Sequence, residues 1–254
     1  MTLLRVEHLN KEFGGVHAVS DLTFTINPGT IHSIIGPNGA GKTTLFNLVT
    51  GVYTPSSGNI LFADAPTAGK APYELAQEGM SRTFQNLQIF FNMPAIENVM
   101  VGRHLHLDRR FLPSLLRLPG IAKGDAQARE KSAELMRFVG LEAYLKADAD
   151  AMPYGALKRL EIARALAAEP KLLLLDEPAA GLNATESREI DEVIVKVAKS
   201  GVTVVLVEHD MKMVMGISDH ILVLDYGKKL AEGTPDQVRN NPDVIKAYLG
   251  GGAA

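Results

Sequence analysis

Several features that define specialised protein classes are missing from this sequence. Its 254 residues contain no cysteine, which excludes a disulfide framework and a thiolate metal site. The strongest apolar runs, in KLLLLDEP and GVTVVLVEHD, are much shorter than the ~18–20 residues of a membrane-spanning helix. The start, MTLLRVEHLNKEF, has no apolar segment typical of a secretory signal. A formal net charge of −3 provides no basic excess that favours DNA or RNA. We expect a protein that is soluble by itself and meets a membrane only through a partner.

The pattern of apolar residues predicts an α/β fold. Near the N-terminus, DLTFTI alternates Leu22, Phe24 and Ile26, which is typical of a half-buried strand. KLLLLD and GVTVVLV are apolar at every position, as in parallel strands that helices cover on both faces. We predict an N-terminal antiparallel β subdomain and a mainly parallel core sheet, with the core formed by 1–88 and 161–254.

The middle of the chain predicts helices. Ala128, Ser132, Leu135 and Val139 share one helical face, and Gly140 ends it. RRFLPSLLRLPGIAKG, before that face, is predicted to be a connector. We therefore predict a helical subdomain, 89–160, inserted into one domain that spans 1–254. Towards the C-terminus, ILVLDYGKKLAEG predicts a hairpin turning at Asp225–Gly227, and TPDQV predicts a helix capped by Thr234 and Gln237.

The segment GPNGAGKTT fits the phosphate-loop pattern G-x-x-x-x-G-K-[ST]. Glycines let successive backbone N–H groups point at phosphate oxygens, and the following helix presents its positive end to them. A chance glycine-rich turn is disfavoured because an apolar strand precedes the loop and a helix follows. The loop predicts binding of a nucleoside triphosphate with Mg²⁺, with Lys42 on the β- and γ-phosphates and the Thr43 hydroxyl on the metal. Its residues are Gly36, Pro37, Asn38, Gly39, Ala40, Gly41, Lys42, Thr43 and Thr44.

Polar residues follow two of the predicted core strands. Asp176 suits a Mg²⁺ carboxylate, and Glu177 can hold the water that attacks the γ-phosphate. His209 ends the next strand, and the carboxyl ends of parallel strands collect ligands. Acids at a solvated strand end, or a structural histidine, are the alternatives, and the complete phosphate loop favours function.

Gln85, in SRTFQNLQIFFNM, can bind Mg²⁺ or its water through the carbonyl oxygen, although a surface glutamine is the alternative. Apolar residues follow it closely. They belong either to the core of the helical subdomain or to a docking surface. These residues are Leu87, Ile89, Phe90, Phe91 and Met93.

Five motifs in this order, GPNGAGKTT, TFQN, MPYGALKR, LLLLDEP and VEHD, resemble the nucleotide-binding subunits of ABC transporters. The resemblance covers essentially the whole chain. MPYGA stands at the signature motif usually written LSGGQ and is similar to the LPYG form of branched-chain amino-acid importers of the LivG type. DEPAAGLN and IKAYLG resemble the same subfamily.

The resemblance implies a role for each matching residue. Phe13 would stack on adenine, Gln85 would sense the γ-phosphate, Glu177 would be the general base and His209 the switch. The signature residues Met152, Pro153, Tyr154, Gly155 and Ala156 would face ATP bound by the opposite subunit, and Asn183 would lie in the loop between subunits. Three positions depart from the family: Pro153 replaces serine, Leu157 replaces glutamine and Ala184 replaces a common proline.

The resemblance also implies a function, namely ATP hydrolysis that powers uptake of branched-chain or related hydrophobic amino acids. The implied partners are a paralogous ATPase or a second copy, membrane permease subunits and, indirectly, an extracytoplasmic binding protein. The implied location is the cytoplasmic face of a bacterial or archaeal inner membrane. Alternatives are uptake of amides, urea or aromatic acids, lipid export, a nucleic-acid-linked ABC ATPase and a non-hydrolysing regulator.

Overall fold

The computed structural model describes residues 2–106 and 119–250. The chain divides into two compact units. The first unit contains Met1–Arg82, Lys171–Ala179 and Ile194–Ala254, and the second contains Thr83–Pro170 and Ala180–Val193. The predicted boundaries of the inserted subdomain, 89–160, stay a prediction. Most of the predicted connector, up to residue 118, lies outside the described residues, and the chain is helical from Pro119.

The first unit contains an antiparallel sheet with the strand order β2-β1-β4-β5. Its long central strand pairs with β2 and β4, and the Leu4, Val6 and Leu9 side chains are buried in the core. This is the N-terminal antiparallel sheet that the sequence predicts. The strands are β1 (Leu4–Phe13), β2 (Val16–Ile26), β4 (Ser57–Phe62) and β5 (Ala65–Pro66).

The second sheet of the same unit has six strands in the order β10-β9-β3-β8-β7-β6. All pairs are parallel except β9 with β10. Every residue of β3, β7 and β8 is buried. For β7 and β8 this confirms the prediction from the continuous apolar runs. The strands are β3 (Ile31–Ile35), β6 (Met80–Arg82), β7 (Leu172–Asp176), β8 (Thr203–Val207), β9 (His220–Asp225) and β10 (Lys228–Gly233).

Helices of the first unit follow the strands that the sequence predicts. The first begins at Lys42 and is capped at Thr50, and Gly51 follows with φ +73°. The predicted hairpin turn at Asp225–Gly227 and the Thr234–Gln237 capping box are both confirmed. The helices are α1 (Lys42–Val49), α2 (Pro72–Glu78), α7 (Met211–Ile217), α8 (Pro235–Arg239) and α9 (Pro242–Gly250).

The second unit is mainly helical. In its longest helix, Ala128 and Ser132 are buried as predicted, Leu135 is half-buried, and Gly140 follows with φ +75°. Across residues 2–106 and 119–250, no helix has the length and apolar character needed to cross a membrane. The helices are α3 (Ala95–Gly102), α4 (Pro119–Phe138) and α5 (Tyr154–Leu166), with short 3₁₀ turns at Arg103–His106, Glu142–Tyr144 and Ala149–Ala151; α6 (Ala184–Lys199) has residues in both units.

Candidate functional site

The phosphate loop joins β3 to α1, as the sequence predicts. Two of its glycines are required by close backbone contacts. A Cβ atom on Gly36 would lie 2.1 Å from the Leu224 carbonyl oxygen, and one on Gly41 would lie 2.5 Å from that of Ala18. The Gly227 N–H also donates to the Ala40 carbonyl oxygen at 3.0 Å. The loop therefore packs directly against the backbone of residues 18, 224 and 227.

Lys42 is folded over the loop that precedes it. Only 7% of the residue is exposed, and its Nζ donates to the carbonyl oxygens of Gly36 at 2.6 Å and Pro37 at 2.9 Å. Burial lowers the pKa of Lys42, while the Glu177 carboxylate acts in the opposite direction. The ammonium group thus lies over the backbone that a bound phosphate would contact.

Glu177 and His209 are brought together by the ends of two adjacent strands. His209 Nε2 lies 2.7 Å from Glu177 Oε1, and the Glu177 N–H donates to the Val207 carbonyl oxygen at 2.9 Å. Glu177 has φ +50°, a conformation that costs energy in a non-glycine residue and is often found at functional sites. Both residues lie at the carboxyl ends of β7 and β8, where the sequence predicts that ligands collect.

Asp176 is the last residue of β7 and is 5% exposed. Its Oδ2 accepts a hydrogen bond from Arg82 Nη2 at 2.9 Å. Arg82 Nη1 also donates to Asn47 Oδ1 at 2.6 Å and Thr50 Oγ1 at 3.2 Å, at the end of α1. Arg82, the last residue of β6, was not identified from the sequence.

The oxygen donors of the first unit fit a magnesium ion that is shared with a phosphate substrate. Mg²⁺ is usually held by one or two carboxylates, with phosphates and water completing its shell. Asp176 and the exposed Thr43 at the start of α1 supply oxygens of this kind. Within the described part of the chain, no group of three or more His, Cys, Asp or Glu residues can form an all-protein metal cage.

Glu208, next to His209, is a second residue that the sequence analysis missed. It is 4% exposed and accepts hydrogen bonds from the N–H groups of Ala179 at 2.8 Å and His209 at 3.0 Å. Burial raises the pKa of the Glu208 carboxyl, and these N–H donors oppose that shift. Glu208 therefore ties the segment after β7 to the segment after β8. Its signal in the sequence is a charge directly after a wholly apolar strand.

Phe13 forms an exposed aromatic pair with Tyr53. The ring centroids are 5.3 Å apart at an interplanar angle of 73°, and Lys11 Nζ lies 4.8 Å from the Phe13 centroid. Phe13 is 42% and Tyr53 37% exposed, which leaves ring surface available for a flat base. Phe13 was predicted from the family resemblance, whereas Tyr53 was not identified from the sequence.

In the second unit, the signature residues start helix α5. Pro153 is the N-cap, with φ −66° and ψ 156°, and has no side-chain acceptor to offer the first turn. Pro153 and Tyr154 are exposed, whereas Met152, Gly155 and Ala156 are buried. Pro153 and Tyr154 are thus the two signature residues that this segment presents to solvent.

Asn183 and Gly155 lie close to the same acidic side chain. Asn183 Oδ1 accepts from the N–H groups of Thr185 and Glu186, while Glu186 Oε2 accepts from the Asn183 N–H at 3.1 Å. A Cβ on Gly155 would lie 2.7 Å from Glu186 Oε1. The predicted loop residue Asn183 is therefore the cap of α6, and Gly155 is required by packing.

Gln85 belongs to the second unit and is exposed. Its backbone carbonyl oxygen accepts from Lys158 Nζ at 3.4 Å. Among the apolar residues that follow, Ile89 is 9% exposed, whereas Phe90 and Phe91 are 45% and 49% exposed. Ile89 therefore belongs to the core of this unit, whereas Phe90 and Phe91 lie on its surface.

The C-terminal helix α9 lies beside the phosphate loop within the first unit. Burial raises the pKa of Tyr248 in this helix to about 12, and the Gly36 backbone acts in the opposite direction. A cavity of about 400 Å³ is lined by loop residues 37–40 and by Asp243, Lys246 and Ala247 of α9. The sequence analysis did not anticipate this contact.

Comparison with known proteins shows which family the chain belongs to. The sequence model described as ABC transporter matches residues 19–180, and one described as branched-chain amino acid ATP-binding cassette transporter matches residues 228–254. The high-affinity branched-chain amino acid transport ATP-binding proteins BraF of Pseudomonas aeruginosa and LivG of Escherichia coli K12 are each 45% identical over 249 residues. Each alignment covers 98% of this chain and 98% of the relative.

A solved structure shows the same fold. The ADP conformation of MJ1267, an ATP-binding cassette of an ABC transporter, is 32% identical with a TM-score of 0.86, and the match covers 98% of this chain and 99% of that one. The predicted family and the predicted α/β fold are confirmed. The chain belongs to the ABC transporter family, as one of its ATP-binding subunits that couple ATP hydrolysis to transport.

Proposed function

We propose that this chain powers an ABC importer that takes up branched-chain or closely related hydrophobic amino acids. The main support is the 45% identity, over 98% of the chain, to BraF and LivG, which are named for that transport. The C-terminal match to the branched-chain model, residues 228–254, supports the same cargo.

The chain's own residues account for phosphate binding. Backbone N–H groups of the loop and the positive N-terminal end of α1 face the bound phosphates. Lys42, already buried over the loop, exchanges its two carbonyl contacts for the β- and γ-phosphate oxygens. Phe13 and Tyr53 provide the aromatic surface for adenine.

Glu177 acts as the general base and takes a proton from the attacking water. His209, 2.7 Å from its carboxylate, orients Glu177 and contacts the γ-phosphate. Thr43, Asp176 and Gln85 would hold Mg²⁺, which supplies charge neutralisation at the β- and γ-phosphates when bound. Arg82 fixes the Asp176 carboxylate from the side of α1.

Assembly completes the site. Two ATPase subunits face each other head to tail, so that Met152–Ala156 of one meets the nucleotide on the loop of the other. The N–H groups at the start of α5 then approach phosphate in place of the serine hydroxyl that Pro153 lacks. The second subunit is a paralogue or another copy of this chain, and Asn183 shapes the loop between subunits.

Membrane partners complete the transporter. The exposed side chains of Phe90 and Phe91 are an apolar pair near Gln85 in the chain, suited to a permease helix. The ATPase subunits lie at the cytoplasmic face of a bacterial or archaeal inner membrane. An extracytoplasmic binding protein delivers the cargo to the permease.

Uptake by living cells tests the cargo. We would delete the gene in its own organism, restore it as wild type or as Glu177→Gln, and measure uptake of radiolabelled leucine. Restoration by the wild type alone supports the proposal. Unchanged leucine uptake after deletion, with loss of urea, amide or aromatic acid uptake, would assign one of the other cargoes. Salt-sensitive DNA binding by the purified chain would instead support a nucleic-acid role.

A further inference from the structure

Helix α5 carries three charged side chains on one face, at Lys158, Glu161 and Arg164. Lys158 and Glu161 are each 3% exposed, and the Arg164 side chain is 17% exposed. Residues spaced by three positions lie on the same side of a helix. Charged side chains are rarely so buried unless they have partners, so the surroundings of these three residues define what they do.

All three side chains reach the backbone of one short segment, Phe84–Gln88. Lys158 Nζ donates to the Gln85 carbonyl oxygen at 3.4 Å, and Glu161 Oε1 accepts from the Gln88 N–H at 3.4 Å. The Arg164 guanidinium donates to the Gln88 carbonyl oxygen. The Phe84 N–H donates to the Glu161 carboxylate as well. Along the segment, the backbone groups that take part are in turn a donor, an acceptor, a donor and an acceptor, and Gln85 supplies the first acceptor.

The charges within the cluster also interact with one another. Arg164 Nη2 lies 3.8 Å from Glu161 Oε1. Burial raises the pKa of the Glu161 carboxyl, whereas Arg164, Lys158 and the two backbone donors act to lower it. Buried charges of this kind cost desolvation energy, which apolar residues at the same positions would avoid. Their hydrogen bonds to the backbone give a reason for their presence.

The same cluster is linked to the signature residues and to helix α3. Lys158 Nζ lies 5.8 Å from the ring centroid of Tyr154 in the signature motif. The Arg164 guanidinium lies 5.7 Å from the ring centroid of Phe90. The wholly buried Asn98 of α3 accepts from the Phe90 N–H and donates to its carbonyl oxygen, at 2.9 and 3.0 Å. The chain just after the segment is thus fixed to α3 at Phe90.

We propose that Lys158, Glu161 and Arg164 are positioning residues that hold the Gln85 segment on the signature helix, so that both move as one body. This inference rests on the proposed function, in which Gln85 and the signature residues act at ATP. Hydrogen bonds to the backbone fix the path of the chain at Gln85 without depending on its side chain. A shift of α5 is thereby passed directly to the residue that faces the metal and the permease.

Amide hydrogen exchange of peptides that cover 84–88 tests the proposal in the purified chain. We expect exchange at Phe84 and Gln88 to accelerate at least about tenfold in Glu161→Ala. Glu161→Gln keeps an acceptor of the same shape but loses the charge, so we expect an intermediate rate. ADP affinity, which depends on the phosphate loop, should stay within about twofold, while the turnover number falls about tenfold.

Arg159→Ala is the matched control on the same helix. Arg159 binds the Gly140 carbonyl oxygen at 3.3 Å and Glu189 at 3.2 Å, and these contacts do not involve the segment. Exchange at 84–88 should therefore stay at the wild-type rate in this variant. If Glu161→Ala does not fold, Glu161→Gln and Arg164→Lys carry the same test with smaller expected changes.

Two results would overturn the inference. One is unchanged exchange at Phe84 and Gln88 in all the Glu161 and Arg164 variants. The other is equal acceleration in Arg159→Ala, which would indicate general loosening of α5. Exchange and ADP affinity are measured without hydrolysis or transport. Unchanged leucine uptake after deletion of the gene would contradict the proposed function, while the exchange data would still decide the role of the cluster.

Discussion

His209 Nε2 lies 2.7 Å from Glu177 Oε1 although the two residues are 32 positions apart in the chain. Backbone hydrogen bonds hold the two residues in this position. The Glu177 N–H is bound to the Val207 carbonyl oxygen at the end of β8, and the His209 N–H is bound to Glu208. Both side chains are therefore fixed relative to the same two strand ends. A base and its orienting group in such a relation are the minimum that activation of a water molecule requires.

Glu177→Gln should trap the ATP-bound closed dimer. The amide keeps the shape of the carboxylate but cannot take a proton, so we expect hydrolysis to fall about 10²- to 10⁴-fold. Light scattering should show an ATP-dependent doubling of mass. Glu192→Gln, an exposed change on α6, is the control and should turn over ATP normally. Rapid turnover by Glu177→Gln contradicts the general-base assignment, and an unchanged mass with intact ATP binding indicates that closure needs a paralogue.

Phe13→Ala should weaken nucleotide binding through loss of one stacking surface. A stacked base and ring are worth about 1–3 kcal/mol, which corresponds to an affinity loss of about 5- to 150-fold. Titration with a fluorescent ATP analogue measures it. Tyr73→Ala removes a 65% exposed ring on α2 and should leave affinity unchanged. If the Phe13 and Tyr73 variants behave alike, adenine binds elsewhere.

Arg82→Met should leave Asp176 buried without its arginine contact. The Arg82 and Asp176 side chains are 10% and 6% exposed, and breaking a buried pair by removing one partner costs about 3–5 kcal/mol. We expect lower stability in urea and a higher Mg²⁺ requirement for ATP binding. Arg5→Met breaks an exposed pair with Glu7 and should cost at most about 1 kcal/mol. Equal effects of the two changes would show that Arg82 does not hold Asp176.

His32 should make the fold less stable in mild acid. Burial, followed by the neighbouring His220, lowers the pKa of His32 from 6.5 to about 4, against the effects of Glu232 and Asp219. Between pH 4 and pH 6.5 the unfolded chain therefore binds more protons than the folded chain. The stability that neutral His32 contributes is present above pH 6.5 and is lost as the pH falls towards 4.

The size of this effect can be measured by urea unfolding. From about pH 7.5 to about pH 5 we expect His32 to account for a loss of about 2 kcal/mol. The matched variant is His32→Gln, whose free energy of unfolding should fall less over the same interval. A parallel decline in both proteins would assign the acid sensitivity to other groups.

The sequence was sufficient for the parts of this molecule that depend on local pattern. Continuous apolar runs predicted buried parallel strands, and the polar residues that follow them predicted a ligand site at the carboxyl ends of those strands. Arg82 and Glu208 could not be assigned in the same way. Arg82 contacts Asp176 across 94 positions, and Glu208 contacts Ala179 across 29. Such partners are defined only when the order of strands in the sheet is known.

The signature segment shows the same limit. Its Pro153 was recognised as a departure from the family, but the need for Gly155 follows from Glu186, a side chain on another helix. The three charges of α5 look like an ordinary solvated face in KRLEIAR. Their burial against Phe84–Gln88 depends on tertiary packing and is invisible to helical periodicity.

The position of helix α9 beside the phosphate loop has a practical consequence for anyone who prepares this protein. A purification tag or fluorescent fusion joined within or immediately after Pro242–Gly250 would perturb a helix that lines a cavity together with phosphate-loop residues 37–40. ATP affinities measured on such a preparation would partly reflect the tag. Leu4 begins the strand at the opposite end of the chain, and an extension preceding it avoids that helix.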